Sequence, residues 1–293
     1  MHDVRHLVAA WAVARVALGE FEKTVAVWDV TSPRRISIFD TVLDFGGERL
    51  ALSGAGDVLI AAAYHRYGVA AYDVSTGDVM WQRRDIKRPQ RLTVSHSARV
   101  VYVGTDEKPC LRMSLDTGET VGQLRGVRRI VESPYAALAF VDQARPVVSE
   151  GDSVKAIFAV ERTTFAFLSI AFGHSQLAVS EAGGPVRCFE LSSGLEVWRF
   201  TAAPGVHCLE LAYGPELGAF VGVLWSYQSG GHKKLVAFDA DGKPSPIKDV
   251  GCPAVTCFCA KNSSLLTNEG RLIHLASGDE VQLDGLGVSA GPG

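Results

Sequence analysis

The chain has 293 residues, 47% hydrophobic and 21% charged, a balance that excludes a disordered polymer and suffices for a large buried core. A formal net charge of −3 excludes a global attraction to nucleic acid or acidic membranes, so any electrostatic partner has to meet a local patch. The six cysteines (Cys110, Cys188, Cys208, Cys252, Cys257 and Cys259) contain no C-x-x-C pair and are too few for a disulfide scaffold, which predicts a reduced, cytosolic protein.

From the N-terminus, Leu7 to Leu18 is mostly apolar, but Asp3 precedes it and Arg15 interrupts it. The run falls short of the roughly 20 residues that span a bilayer. It reads as the first two strands of a repeating unit, with no targeting segment and no membrane span expected. The unit then declares itself in Val25-Ala26-Val27-Trp28-Asp29-Val30 and again in Val69-Ala70-Ala71-Tyr72-Asp73-Val74. Further copies are Leu111–Leu115, Val186–Leu191, Leu235–Ala240 and the weaker Leu272–Leu275. Each is a short alternating run of β-formers, the pattern of a half-buried strand.

A tight turn follows most copies: Ser75-Thr76-Gly77-Asp78, Asp116-Thr117-Gly118-Glu119, Ser192-Ser193-Gly194-Leu195 and Ala276-Ser277-Gly278-Asp279. Asp241-Gly242 forms the equivalent turn, shifted earlier by a single residue. Glycine supplies the positive φ that closes such a hairpin. Another short strand comes next, as in Val79–Gln82 or Val197–Phe200.

The units recur about every 40 residues, the period of four-stranded propeller blades. The predicted fold class is therefore all-β: a single β-propeller of seven four-stranded antiparallel blades over residues 1–285, with a flexible tail at 286–293. The blades fall at about 5–40, 48–84, 90–125, 128–160, 164–202, 206–248 and 254–285, while six or eight blades remain open. The fourth fits only with Arg145–Val148 as its third strand and Lys155–Phe158 as its fourth. In this register the first and last blades are each one continuous segment.

An acid, then Thr or Ser three positions on, then Gly, then Trp four further, resembles the WD-repeat and quinoprotein-type (PQQ-repeat) propellers. Asp73, Thr76, Gly77 and Trp81 match fully, and Glu190, Ser193, Gly194 and Trp198 match with conservative changes. Ser114, Thr117 and Gly118 match incompletely, with Gly122 where the tryptophan would stand. His274, Ser277 and Gly278 match less well, with Gln282 at the last position. The resemblance implies structural roles: the tryptophan docks between blades and the turn residues hold the hairpin. The vicinal disulfide that often accompanies a quinone cofactor is absent, so no cofactor is expected.

No catalytic constellation emerges. Gly173-His174-Ser175-Gln176-Leu177 lacks the second glycine and the helix of a nucleophile elbow, and reads as a loop between two strands. The eight histidines form no pair at metal-ligand spacing, and adjacent His207 and Cys208 point to opposite faces of a strand. Gly230-Gly231-His232-Lys233-Lys234 lacks the spacing and helix of a phosphate loop. Asp40, Asp44 and Glu48 read as a solvated acidic loop between the first two blades.

The partner-binding candidates are basic and aromatic. Arg83, Arg84, Lys87, Arg88 and Arg91 precede the third blade; Arg125, Arg128 and Arg129 precede the fourth. On the same face the second blade contributes Tyr64, His65, Arg66 and Tyr67, and the sixth contributes Trp225, Ser226, Tyr227 and Gln228. Guanidinium groups bind carboxylates bidentately, and arginine beside tyrosine is the composition of interface hot spots. The expected function is a non-catalytic platform, a scaffold subunit or an inhibitor or immunity-type protein, that engages a protein partner. An enzyme with residues converging in a central funnel and a nucleic-acid-binding propeller are the alternatives.

Overall fold

The computed structural model describes residues 7–12, 15–20, 22–30, 32, 34–63, 67–95, 98–105, 109–125, 129–132, 137–140, 146–150, 153–157, 167–181, 184–226, 233–250, 255–259, 264–267 and 271–283. Among these there is no helix, and antiparallel strands carry the whole architecture. The first sheet has seven strands in sequence order. They are β1 (Leu7–Ala12), β2 (Arg15–Glu20), β3 (Glu22–Asp29), β4 (Arg34–Leu52), β5 (Val58–Ala63), β6 (Tyr67–Asp73) and β7 (Val79–Lys87).

Five four-stranded sheets follow. The first holds β8 (Pro89–Val94), β9 (Val100–Thr105), β10 (Cys110–Ser114) and β11 (Thr120–Leu124). The next holds β12 (Arg129–Glu132), β13 (Ala137–Phe140), β14 (Pro146–Glu150) and β15 (Ser153–Ile157). After it come β16 (Phe167–Phe172), β17 (Gln176–Glu181), β18 (Val186–Glu190) and β19 (Glu196–Phe200). Then come β20 (Val206–Gly214), β21 (Ala219–Ser226), β22 (Lys233–Phe238) and β23 (Pro244–Val250). The last sheet is β24 (Val255–Cys259), β25 (Ser264–Thr267), β26 (Arg271–His274) and β27 (Glu280–Gln282). These five sheets coincide with the blades expected from about residue 90 onward. Each sheet is drawn from one continuous stretch of chain, the first and last included.

The first two expected blades are joined. A loop was expected around Asp44 and Glu48, but β4 runs through it as one 19-residue strand. The pairing of β4 with β5 jumps from Phe45↔Ala63 to Leu50↔Ala61, so a wide bulge at Gly46-Gly47 absorbs the change of direction. Tyr72, fully buried on β6, accepts a hydrogen bond from the Val42 amide of β4 at 2.9 Å. Burial pushes this phenol up to about 12.

The chain forms two compact units, one of residues 1–139, 268–271 and 281–293, the other of 140–267 and 272–280. In the first unit, all six residues of β5 are buried. Leu59 and Ala61 join one core with Val25, Val27 and Tyr72. Val58, Ile60 and Ala62 join a second with Trp81, Val101, Val103 and Met113. Alternate side chains on an inner strand thus feed cores on both faces of its sheet. The second unit repeats this arrangement. One core gathers Ala178, Cys188, Trp198, Phe220 and Phe238, and another gathers Val221, Val223, Leu235, Leu265 and Ile273.

The turns between third and fourth strands explain the repeat motif atom by atom. The amides of Asp73, Ser114, Glu190 and His274 donate to the carbonyls five residues on, at 2.8–2.9 Å. The turn glycine donates back to the first residue of each turn. The Asp73 carboxylate accepts from the amides of Ser75 and Thr76 at 2.8 and 3.1 Å. Hydroxyls of Thr76, Thr117, Ser193 and Ser277 accept from the amide two residues later at 3.1–3.3 Å.

The glycines serve a second purpose. A Cβ on Gly118, whose φ is +71°, would lie 2.6 Å from the Trp81 indole of the preceding four strands, and one on Gly242 would lie 2.6 Å from Trp198. Gly77 meets Phe39 in the same manner at 2.7 Å. The Trp81 Nε1–H also donates to the Leu115 carbonyl at 2.8 Å. Where the tryptophan is missing the volumes are exchanged. Trp81 and Trp198 stand opposite small Ala71 and Cys188, whereas Gly122 stands opposite Arg112.

Gly118→Ala and Gly242→Ala should each destabilise by about 1–2 kcal/mol for the left-handed backbone and by a further 1–3 kcal/mol or so for overpacking against the indole. At Gly278 a Cβ meets nothing within 4 Å, so Gly278→Ala should show the backbone cost alone. Urea unfolding of the three variants measures the difference.

Candidate partner-binding end

Strand register decides which sequence-predicted residues meet. In the first unit β6 pairs with β7 so that Tyr67 lies opposite Lys87. β5 ends at Ala63 and β6 begins at Tyr67, both at this same end. Arg88 alone connects β7 to β8, with a left-handed φ of 46° that makes the reversal tight. In the next sheet Pro89 pairs with Thr105, and Cys110 pairs with Leu124. Arg88 and Arg125 therefore flank the same end of that sheet on its two outer strands, three strand spacings or about 14 Å apart.

Arg84, Lys87, Arg88 and Arg125 are exposed, and Arg91 is half-buried on β8. Arg129 opens β12. Tyr64, His65, Arg66, Arg128 and Tyr227 lie outside the described residues, as do the side chains of Tyr67 and Arg129. In the second unit Trp225 is half-buried opposite His207, their rings 6.1 Å apart.

Arg83 has a different situation from its neighbours. It lies mid-strand and half-buried, and its guanidinium is chelated by Asp85 at 2.8 and 2.7 Å. Its Nη1 donates to the Gly118 carbonyl at 2.7 Å, beside the Trp81 contact. The hydrogen bonds to Asp85 hold the guanidinium above its ordinary pKa. Arg83 is a strut between two sheets.

The opposite end of the sheets carries the hydrogen-bonded turns. Arg99 binds Asp116 through Nε and Nη2 at 2.8 and 2.6 Å and reaches Asp57 at 3.4 Å. Burial raises the Asp57 carboxyl, but the Ser53 hydroxyl and the Arg99 guanidinium outweigh it and hold the group below the usual range. In the second unit Glu196 is held low by Arg199, against an opposing effect of burial, and by the buried Arg187. Burial pushes the Cys188 and Cys208 thiols up to about 12, which makes them poor nucleophiles.

Gly173–Ser175 is a turn between β16 and β17, with the His174 ring edge-on to Tyr213 at 5.5 Å. It borders a groove of about 490 Å³ in the second unit, walled by Gln176, Tyr213, Asp239 and Ser245 over Trp198, Phe220 and Phe238. Sequence reading missed this groove because three turns far apart in the chain build it. Among the described residues no three His, Cys, Asp or Glu side chains gather as a metal site, and no helix is long and apolar enough to cross a membrane.

No family model matches the chain, and no curated protein matches it by sequence. Solved structures do match. A chain in the crystal structure of the mitotic checkpoint complex aligns over 96% of this chain and 87% of its own, with 15% identity and a TM-score of 0.67. The structure of U3-55K aligns over 90% and 88%, at 10% identity and a TM-score of 0.65. A computationally designed protein, Ika8, aligns over 96% and 87%, at 13% identity and 0.61. The chain shares the all-β propeller fold of these structures.

Arg83→Ala should lower stability by about 1–2 kcal/mol through loss of its carbonyl contact, whereas Arg84→Ala should change it by less than about 0.5 kcal/mol. Chemical denaturation of both variants checks this.

Proposed function

We propose that this protein is a non-catalytic, cytoplasmic platform that binds a partner protein through the basic end of its first unit. The supporting observation is the register that gathers Tyr67, Lys87, Arg88 and Arg125 at one end of neighbouring sheets, while the other end is taken up by hydrogen-bonded turns. The exposed guanidinium and ammonium groups suit an acidic protein surface, because arginine engages carboxylates in pairs of hydrogen bonds. The fold agrees with this reading, since WD40-type propellers serve as interaction scaffolds and one neighbour was solved within a complex. An inhibitor or immunity-type role, in which the partner is a cognate protein to be occluded, belongs to the same reading.

We propose a seven-bladed propeller. On this reading the seven-stranded sheet would hold two blades, with β4 supplying the last strand of the first and the first strand of the second.

Affinity capture from native lysate, with the wild-type chain and an Arg84→Glu/Arg88→Glu variant as baits, tests the proposal. One stoichiometric acidic protein, captured by the wild type and lost with the variant, is expected. Equal capture by both baits, or no capture, would contradict it.

A further inference from the structure

The turn between the first and second strands of a sheet can be compared in the two units. In the first unit the Ser95 amide donates to the Val100 carbonyl, and Arg99 is the last of the four residues between them. In the second, Gly214 pairs with Ala219, and Gly218 is the last of the four residues between those. Each stands immediately before an inner strand, β9 or β21, so Arg99 and Gly218 hold the same structural position. Arg99 fills it with a guanidinium that binds Asp116 of its own sheet at 2.8 and 2.6 Å and reaches Asp57 of the preceding one at 3.4 Å. Gly218 leaves it open: an added Cβ there would meet nothing within 4 Å.

Gly218 lines the groove of about 490 Å³ beside His174, and the charge of that groove says what it suits. No lysine or arginine lines it, and its one carboxylate is Asp239. Lys243 is exposed in the same turn as Asp239 but stands outside the lining. The Asp239 Oδ1 accepts from the amides of Asp241 and Lys243 at 3.0 and 2.8 Å. Its Oδ2 accepts from no other described residue, so an acceptor remains for a cation. The floor of buried rings suits methylenes, and the volume exceeds that of a guanidinium alone and falls in the range of small-ligand and side-chain pockets.

We infer that this groove receives an arginine side chain from a peptide segment of another protein, with its guanidinium on Asp239, where the first unit uses its own Arg99. Arginine fits better than lysine because its long apolar stem ends in a fork of donors that matches a carboxylate. The groove lies wholly in the second unit, so this inference stands apart from the partner-binding reading, which rests on Lys87 and Arg88 of the first.

Calorimetric titration of the full chain with the peptide acetyl-Ala-Arg-Ala-amide tests the inference, with thermal melts of each variant as a folding control. The wild type should bind it saturably, with a Kd at or below about 1 mM. The same peptide with citrulline for arginine keeps the shape without the charge and should bind about ten-fold more weakly. Gly218→Arg restores in the second unit the arginine that the first already has, and should abolish binding by filling the groove. Asp239→Asn keeps an acceptor for the turn amides but removes the charge, and should weaken binding about ten-fold; it decides the matter should Gly218→Arg, at a φ of +61°, fail to fold. Absence of saturable binding, equal affinity for the citrulline peptide, or affinity unchanged in a folded variant would overturn the inference. Free arginine bound more tightly than the peptide would overturn the assignment to a peptide segment.

Discussion

An aromatic face lying on a turn glycine is the contact on which the rest of the structure depends. A single antiparallel four-stranded sheet has two apolar faces and no means of burying either alone. Trp81 on Gly118 and Trp198 on Gly242 lock the last strand of one sheet to the third hairpin of the next. The indole covers apolar area, its N–H satisfies the Leu115 carbonyl, and the glycine admits it at a distance no Cβ would allow. Arg83, two residues beyond Trp81, reinforces the junction by reaching the carbonyl of the same glycine.

From that contact follows the division of labour between the ends of the sheets. The turn end must be rigid, since each glycine has to meet its aromatic in register. Its side chains are accordingly occupied: Asp73, Thr76 and Thr117 hold turn amides, while Asp57, Arg99 and Asp116 hold one another. The opposite end carries no such obligation. There Lys87, Arg88 and Arg125 lie exposed.

Much of this was legible in the sequence because the determinants are local. The turn motif fixes its own hydrogen bonds within six residues, so Asp73-x-x-Thr76-Gly77 reads as a hairpin without knowledge of any strand pairing. Even the irregular strands β14 and β15 overlap the expected Arg145–Val148 and Lys155–Phe158. What the sequence hid was non-local. Gly46 and Gly47 look like a loop, yet β5 on one side and β3 on the other keep β4 continuous across them. Arg83 looked like one more member of a basic run, and only the fold brings the Gly118 carbonyl to it.

The contact between Trp81 and Gly118 can be isolated by a double-mutant cycle on stability, using Trp81→Ala, Gly118→Ala and the pair. Removing the indole opens the space that an alanine Cβ would need, so Gly118→Ala should cost less in the Trp81→Ala background. The coupling should amount to about 1–3 kcal/mol. If the two substitutions instead add within about 0.5 kcal/mol, the indole does not bear on the glycine, and the sheets are held to one another by some other means.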